Sequence, residues 1–119
     1  MGACACLDSK SGKENAHRLP MEDSEVSLQG VAILVHKQEI YTEDVDAIVN
    51  GAANPRLVHD HGMAAAIGRK AGEGMRRESI RWVEKNGALR SGEVAVTTAG
   101  EIEGVKFLLH VLGPLWVNG

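Results

Sequence analysis

One stretch sets the limits on what this chain can fold into: Val45 to Gly72, reading VDAIVNGAANPRLVHDHGMAAAIGRKAG. Val45, Ala47, Ile48 and Val49 form a short, β-branched apolar run with no polar alternation beyond Asp46. That pattern predicts a strand buried on both faces. Small and polar residues follow, Gly51, Ala52, Ala53, Asn54 and Pro55, and lead through Leu57 and His59 to Asp60, His61 and Gly62. Met63, Ala64, Ala65, Ala66 and Ile67 then open a helix. A buried strand, a glycine-containing loop and a helix beginning at small residues bring backbone N–H groups and a helix N-terminus to one point. Such a point attracts phosphate, and Gly62 with the N–H groups of Met63 and Ala64 are the candidate donors.

The chain has 119 residues, enough for one domain with a modest core. Its formal net charge is −3 with the signs mixed, which argues against a broad basic surface that holds nucleic acid by its backbone. One Tyr, one Phe and two Trp are too few for a base-stacking platform, so no nucleic acid partner is expected. No apolar run reaches bilayer length, and the N-terminus lacks a charged region followed by an apolar signal core. A cytoplasmic or nuclear location is the expectation. Both cysteines, Cys4 and Cys6, precede the apolar segments, which leaves those segments without a disulfide framework.

Residues 1–23 show hardly any apolar periodicity and read as a disordered leader. Gly2 follows the initiator Met with Cys4 and Cys6 close behind, so membrane contact is expected only if Gly2, Cys4 or Cys6 is lipidated. The acylation pattern wants Ser or Thr at the sixth position, where this chain has Cys6. A lone C-x-C is weak as a metal site, and neither metal nor cofactor is implied.

From residue 24 onward the elements alternate. Val26 and Leu28 alternate with polar neighbours, and Val31 to Val35 run on continuously after Gly30, which predicts an edge strand or strand pair entering a sheet. Met63, Ile67 and Ala71 share one face of the first helix, the face expected to pack on the sheet. Gly72, Glu73 and Gly74 interrupt it, and a second helix runs from Met75 to Lys85, with Asn86 and Gly87 as its cap. Met75, Ile80, Trp82 and Val83 sit there among charges read as a solvated face with local pairs. Val94 to Thr98 is β-prone, Val105 to Leu112 is a further buried strand, and Gly113 and Pro114 stop it. Strands separated by helices predict an α/β protein with a mixed, mostly parallel sheet flanked by helices.

VDAIVN, AAN, PRLVH and the G-x-A-A-A-I run resemble the first ligand loop of the macrodomain family, whose members bind ADP-ribose. RSGEVAVTTAG and FLLHVLGPLW are similar to the family's next two strands, and the wording is nearest to macrodomains attached to poly-ADP-ribose polymerases. The resemblance covers residues 24–119 and implies a three-layer macrodomain-like fold. The family continues beyond its G-P strand end with a second glycine-containing loop, so the expectation is a partial domain, truncated at the C-terminus.

The resemblance also implies roles. Glu39 followed by Ile40 stands where the family carries Asp-Ile, whose Asp accepts a hydrogen bond from the adenine amino group. Asn54 stands at the place of the ribose-binding Asn; by itself it reads as a turn former before Pro55. Val49-Asn50-Gly51-Ala52-Ala53-Asn54 is one residue longer than the usual V-N-A-A-N, which calls for a bulge or a shifted strand end. Asp60, His61 and Gly62 replace a glycine triplet; Asp60 opposes a pyrophosphate, and a protonated His61 would offset it. Several hydrolytic members carry an Asp where this chain has Ala64. No catalytic residue is therefore assigned.

The expected function is a module that recognises ADP-ribose, free or attached to proteins. Removal of ADP-ribose from modified proteins is the enzymatic alternative, and a ligand-free interaction piece is the third. A dinucleotide-dependent dehydrogenase is disfavoured because no G-x-G-x-x-G follows a strand.

Overall fold

The computed structural model describes residues 23–52 and 54–114. The expectations for the leader up to residue 22, for lipidation at Gly2, Cys4 and Cys6, and for Ala53 lie outside the described residues. Five strands and two helices follow one another: β1 (Ser24–Leu28), β2 (Val31–Val35), a short 3-10 turn (Ile40–Thr42), β3 (Ala47–Gly51), α1 (Gly62–Ala71), α2 (Glu73–Asn86), β4 (Val94–Thr98) and β5 (Phe107–Val111). The architecture is α/β with a mixed sheet. β5 lies in the middle, parallel to β3 and antiparallel to β4.

β1 and β2 form a hairpin of their own, joined by Gln29 (φ 50°) and Gly30 (φ 80°). Two consecutive positive φ values are the geometry that matches the twist of paired strands across a two-residue turn. The continuous run Val31 to Val35 looks like a strand buried in a sheet, yet Val31, Ile33 and Leu34 are exposed. Among the described residues this hairpin does not hydrogen-bond to the β3-β5-β4 sheet.

In that larger sheet, registers align side chains in rows. Ile48, Leu108 and Thr97 form one row and Asn50, His110 and Ala95 the next, all buried on the same face. The helices cover this face, with Ile67, Ala71 and Met75 joining Ile40, Ile48 and Leu108 in the main core cluster. The opposite face carries Val49, half-buried, and Val94, Val96 and Phe107, exposed. β3 is thus fully buried on one face only, because both helices come from the single connection between β3 and β4 and lie on one side.

One helix expectation needs correction and one helix boundary moves. Met63 is exposed, since the first turn of α1 projects beyond the sheet, whereas Ile67 and Ala71 are buried. In α2 the buried positions are Met75 and Ser79, and Ile80 is exposed. The break between the helices also narrows to Gly72 (φ 86°), with Glu73 and Gly74 already inside α2. That turn frees the Ala71 carbonyl, which accepts the N–H of Glu101 at 2.9 Å. Gly100 (φ 59°) passes directly over the same carbonyl, and a Cβ there would collide with its oxygen.

Gly100→Ala therefore combines a steric clash with a disfavoured backbone, and should lower the free energy of unfolding by more than about 2 kcal/mol in a urea titration. Gly104→Ala has a comparable φ of 77° and open space around its Cβ, and should cost about 1 kcal/mol.

Candidate functional site

The segment between β3 and α1 is clamped at several points. β3 runs without a bulge to Gly51, opposite Val111, and Ala52 continues the ladder by donating to the Val111 carbonyl at 2.7 Å. Asn54 Oδ1 then accepts the N–H groups of Arg56 (2.9 Å) and Val58 (3.3 Å), which curls the loop around its own side chain. Pro55 accepts the Leu89 N–H at 2.7 Å, and Leu57 inserts into a second core cluster with Ala52, Leu89 and Ala95.

Leu57 and His59 both have positive φ, 56° and 55°. For Leu this is a strained conformation, costing on the order of 1 kcal/mol, and burial of its side chain holds it there. His tolerates the region better. His59 is 2% exposed, shares a hydrogen bond between Nε2 and Ser79 Oγ (3.1 Å), and lies with its ring centroid 4.9 Å from that of His110.

His110 joins the strands. Its Nδ1 accepts from Asn50 Nδ2 of β3 at 3.0 Å, and its Nε2 donates to Thr97 Oγ1 of β4 at 2.9 Å. The Thr97 hydroxyl hydrogen is directed to the Thr98 carbonyl (3.0 Å), which leaves Thr97 Oγ1 as an acceptor and fixes His110 as the neutral Nε2–H tautomer. Asn50 Oδ1 and His59 Nδ1 are buried without a hydrogen-bond partner. Burial lowers the His110 pKa to about 3, aided by the neighbouring His59 ring. Burial likewise lowers His59 to about 4; the Arg76 charge adds to this and Asp60 opposes it.

The loop delivers the chain to the N-terminus of α1. His61 is the N-cap residue and makes no side-chain cap bond, and the first intrahelical bond is Ala65 N–H to the His61 carbonyl at 3.3 Å. The N–H groups of Gly62, Met63 and Ala64 precede that bond and have no acceptor within the helix. No acidic residue occupies the first turn. Asp60 and His61 are both exposed and paired with each other, Oδ1 to Nδ1 at 2.7 Å. Ala64 is buried.

Glu39 caps the 3-10 turn, where its carbonyl accepts from Thr42 N (3.0 Å) and Thr42 Oγ1 (2.7 Å). Its side chain is exposed, and Ile40 beside it lies in the main core cluster. The Tyr41 hydroxyl is raised above its ordinary pKa by burial, then by the hydrogen bond and charge of Glu39. This turn packs against α1, with Lys70 Nζ 5.1 Å from the centre of the Tyr41 ring. His61, Gly62, Met63 and Ala64 are thus contiguous at the helix start, Asn54 shapes the loop that leads there, and Glu39 and Ile40 sit on a separate turn along α1. No hydrogen bond joins Glu39, Asn54 and His61 to one another among the described residues. No group of three His, Cys, Asp or Glu among these residues could hold a metal ion.

Sequence reasoning passed over the buried set of Asn50, His59, Ser79, Thr97 and His110. The alternation in FLLHV puts His110 in phase with Leu108, which was a legible signal; that Asn50 and Thr97 flank it depends on register.

The fold and the helix-start geometry define an α/β protein with an anion-attracting strand-loop-helix. A model of the Macro domain matches residues 49–119, and the chain belongs to the Macro domain family. It is 43% identical over 90 residues to an uncharacterized protein of Pyrobaculum aerophilum, covering 76% of this chain and 48% of the relative. A macro domain-containing protein of Listeria monocytogenes is 37% identical over 87 residues, 73% of this chain and 48% of its own. The chain spans about half the length, or less, of the curated relatives it matches. Among solved structures, an Oceanobacillus iheyensis macrodomain variant with ADPR superposes at a TM-score of 0.73, 26% identity, 80% of this chain and 52% of that one. A Trypanosoma brucei macrodomain in complex with ADP-ribose gives 0.54, 30% identity, 64% of this chain and 30% of that one.

The two histidines carry a pH dependence whose sign follows from their depressed pKa values. Unfolded, each ring takes a proton near pH 6.5; folded, His59 takes one only near pH 4 and His110 near pH 3. Their contribution is complete above pH 6.5 and is lost as the pH falls below it. By linkage the loss is roughly 2 kcal/mol per ring at pH 5. Urea titrations at pH 7 and pH 5 should record that fall, and His59→Asn, which tolerates positive φ and does not titrate, should remove about half of it.

Proposed function

We propose that this chain binds ADP-ribose, free or attached to proteins, and acts as a reader of mono-ADP-ribosylation. The α1 N-terminus carries the reading: three unclaimed N–H groups, a glycine at φ 65° and no carboxylate in the first turn form a seat for the pyrophosphate. Asp60, exposed beside it, hydrogen-bonds to His61 Nδ1, which turns its carboxylate toward the imidazole.

Asn54 keeps its Nδ2 donors for a ribose hydroxyl while Oδ1 serves the loop. Glu39 supplies the acceptor for the adenine amino group, with Ile40 beneath it. ADPR and ADP-ribose in the macrodomains of similar fold support the same ligand class. The wording of residues 24–119, nearest to macrodomains attached to poly-ADP-ribose polymerases, fits this reading, as does a cytoplasmic or nuclear place of work. The ADP-ribosylated partner proteins, and a domain extending over 24–119, belong to the proposal as well.

Hydrolysis of ADP-ribosylated proteins is the second reading, and the exposed Asp60–His61 pair at the loop end favours it. Such a pair can move a proton to or from a water. Ala64 offers no such chemistry.

Thermal unfolding with ADP-ribose in about hundredfold excess over its Kd should raise the midpoint, equivalent to about 2.7 kcal/mol. Met63→Glu separates binding from folding. Met63 is 42% exposed, and a carboxylate in the first turn should stabilise the apo protein by about 0.3–1 kcal/mol through the helix dipole while repelling the pyrophosphate. Calorimetry should find its ADP-ribose affinity lowered at least about tenfold. Unchanged affinity in Met63→Glu would remove the α1 N-terminus from the site.

A further inference from the structure

The outer edge of β4 is open, and its surroundings say what would fit it. Ala99 donates to the Lys106 carbonyl at 3.2 Å, and the antiparallel register pairs Thr97 with Leu108 and Ala95 with His110. The peptide groups of 95, 97 and 99 therefore face β5, and by alternation those of Val94, Val96 and Thr98 face outward. The Thr98 N–H and hydroxyl are taken by the Glu78 carboxylate of α2, the N–H at 2.8 Å. Among the described residues Val94 and Val96 have no such cover, because β4 ends the strand order β3-β5-β4 there.

Beside this edge lies an open groove of about 440 Å³, lined by Glu78, Arg81, Trp82, Lys85, Asn86 and Val96. Arg81 and Lys85 are exposed and form no ion pair among the described residues, unlike Arg76 with Glu73, Arg90 with Glu93 and Lys106 with Asp46. The groove thus combines the outward main chain of Val96 on one wall, two cations without an ion pair on the other and an indole between them, and the Glu78 carboxylate that also lines it is taken up by Thr98. The cations stand one helical turn apart, about 6 Å along the axis. Alternate side chains of an extended strand repeat at about 6.8 Å.

We propose that this groove binds an extended acidic peptide, which adds to β4 as a further strand. Its main chain pairs with Val94 and Val96, and two carboxylates two residues apart meet Arg81 and Lys85 beside the Trp82 ring. The charge of the two helix cations selects the acidic partner; the free strand edge selects its extended form. This surface is separate from the α1 N-terminus and stands whether or not ADP-ribose binds there.

The test titrates the isotope-labelled full chain with a capped peptide of about seven residues alternating Glu and Val, long enough to match one strand. Saturable NMR shifts are expected at the amides of Val94 and Val96 and at the Trp82 indole N–H. Arg81→Glu combined with Lys85→Glu should weaken binding at least about tenfold. N-methylation of alternate peptide residues, made in both phases, should abolish binding in one phase while the protein stays unaltered.

Equal affinity for a Lys and Val peptide overturns the proposal, as does full affinity of both N-methylated peptides. Shifts confined to residues 54–64, or the same β4 shifts appearing on concentrating the chain alone, also overturn it; the latter assigns the edge to a second copy. Complete displacement by inorganic polyphosphate, together with insensitivity to N-methylation, would assign the groove to polyanions and overturn it too.

Discussion

The imidazole of His110 links more of the molecule than any other side chain described. From the middle strand it accepts from Asn50 on one neighbour and donates to Thr97 on the other, so the hydrogen bonds that pin the register are made by side chains as well as by the ladder. Its face packs against His59, whose own nitrogen reaches Ser79 in α2. Three strands, the loop before α1 and the second helix therefore meet at two neutral rings. In an apolar interior such a set holds only while its members are mutually satisfied and uncharged. Asn50 Oδ1 and His59 Nδ1, both buried without partners, mark where that satisfaction is incomplete.

The strained loop depends on this centre. Leu57 and His59 occupy backbone conformations that neither would choose alone, and each is held by what its side chain touches: the second core cluster for Leu57, Ser79 and His110 for His59. Strain of this kind persists where the surroundings over-determine it. What it achieves here is placement. The chain arrives at α1 with its N–H groups uncapped, because His61 points to Asp60 instead of back to the helix. An uncapped helix start carries N–H groups that attract anions.

Around this centre, exposure is unevenly distributed. The helices cover one face of the sheet, and the other face, the β1–β2 hairpin and the outer edge of β4 carry apolar residues in contact with solvent. Glu78 shows how such an edge can be managed locally, a helix carboxylate taking the outward N–H of Thr98. Further along α2 the side chains change from an acceptor to the cations Arg81 and Lys85, and the edge is left unpaired among the described residues.

The order of the elements, the strand-loop-helix at 45–72 and the start of α1 at Gly62 were legible because they depend on local patterning: apolar periodicity, a glycine before a run of alanines, and turn residues between strands. Met63 was misjudged because periodicity names a face of a helix but not how far the sheet beneath it extends. Ile40, named for the ligand site through the resemblance, also lies in the main core cluster, a packing fact that spacing does not supply. Asn54 was read both as a turn former and as a ribose ligand, and its Oδ1 does serve the turn.

The histidine centre and the β4 groove were decided by tertiary structure alone. Partners 60 and 13 residues apart in the chain become neighbours only through strand register, and the N–H and C=O directions of an edge strand follow from which neighbour it lacks. Sequence determined which segments could be strand, loop or helix, since those choices are made by residues close along the chain. The fold determined which polar groups were buried together and which were left facing water, since those depend on residues that only packing brings into contact.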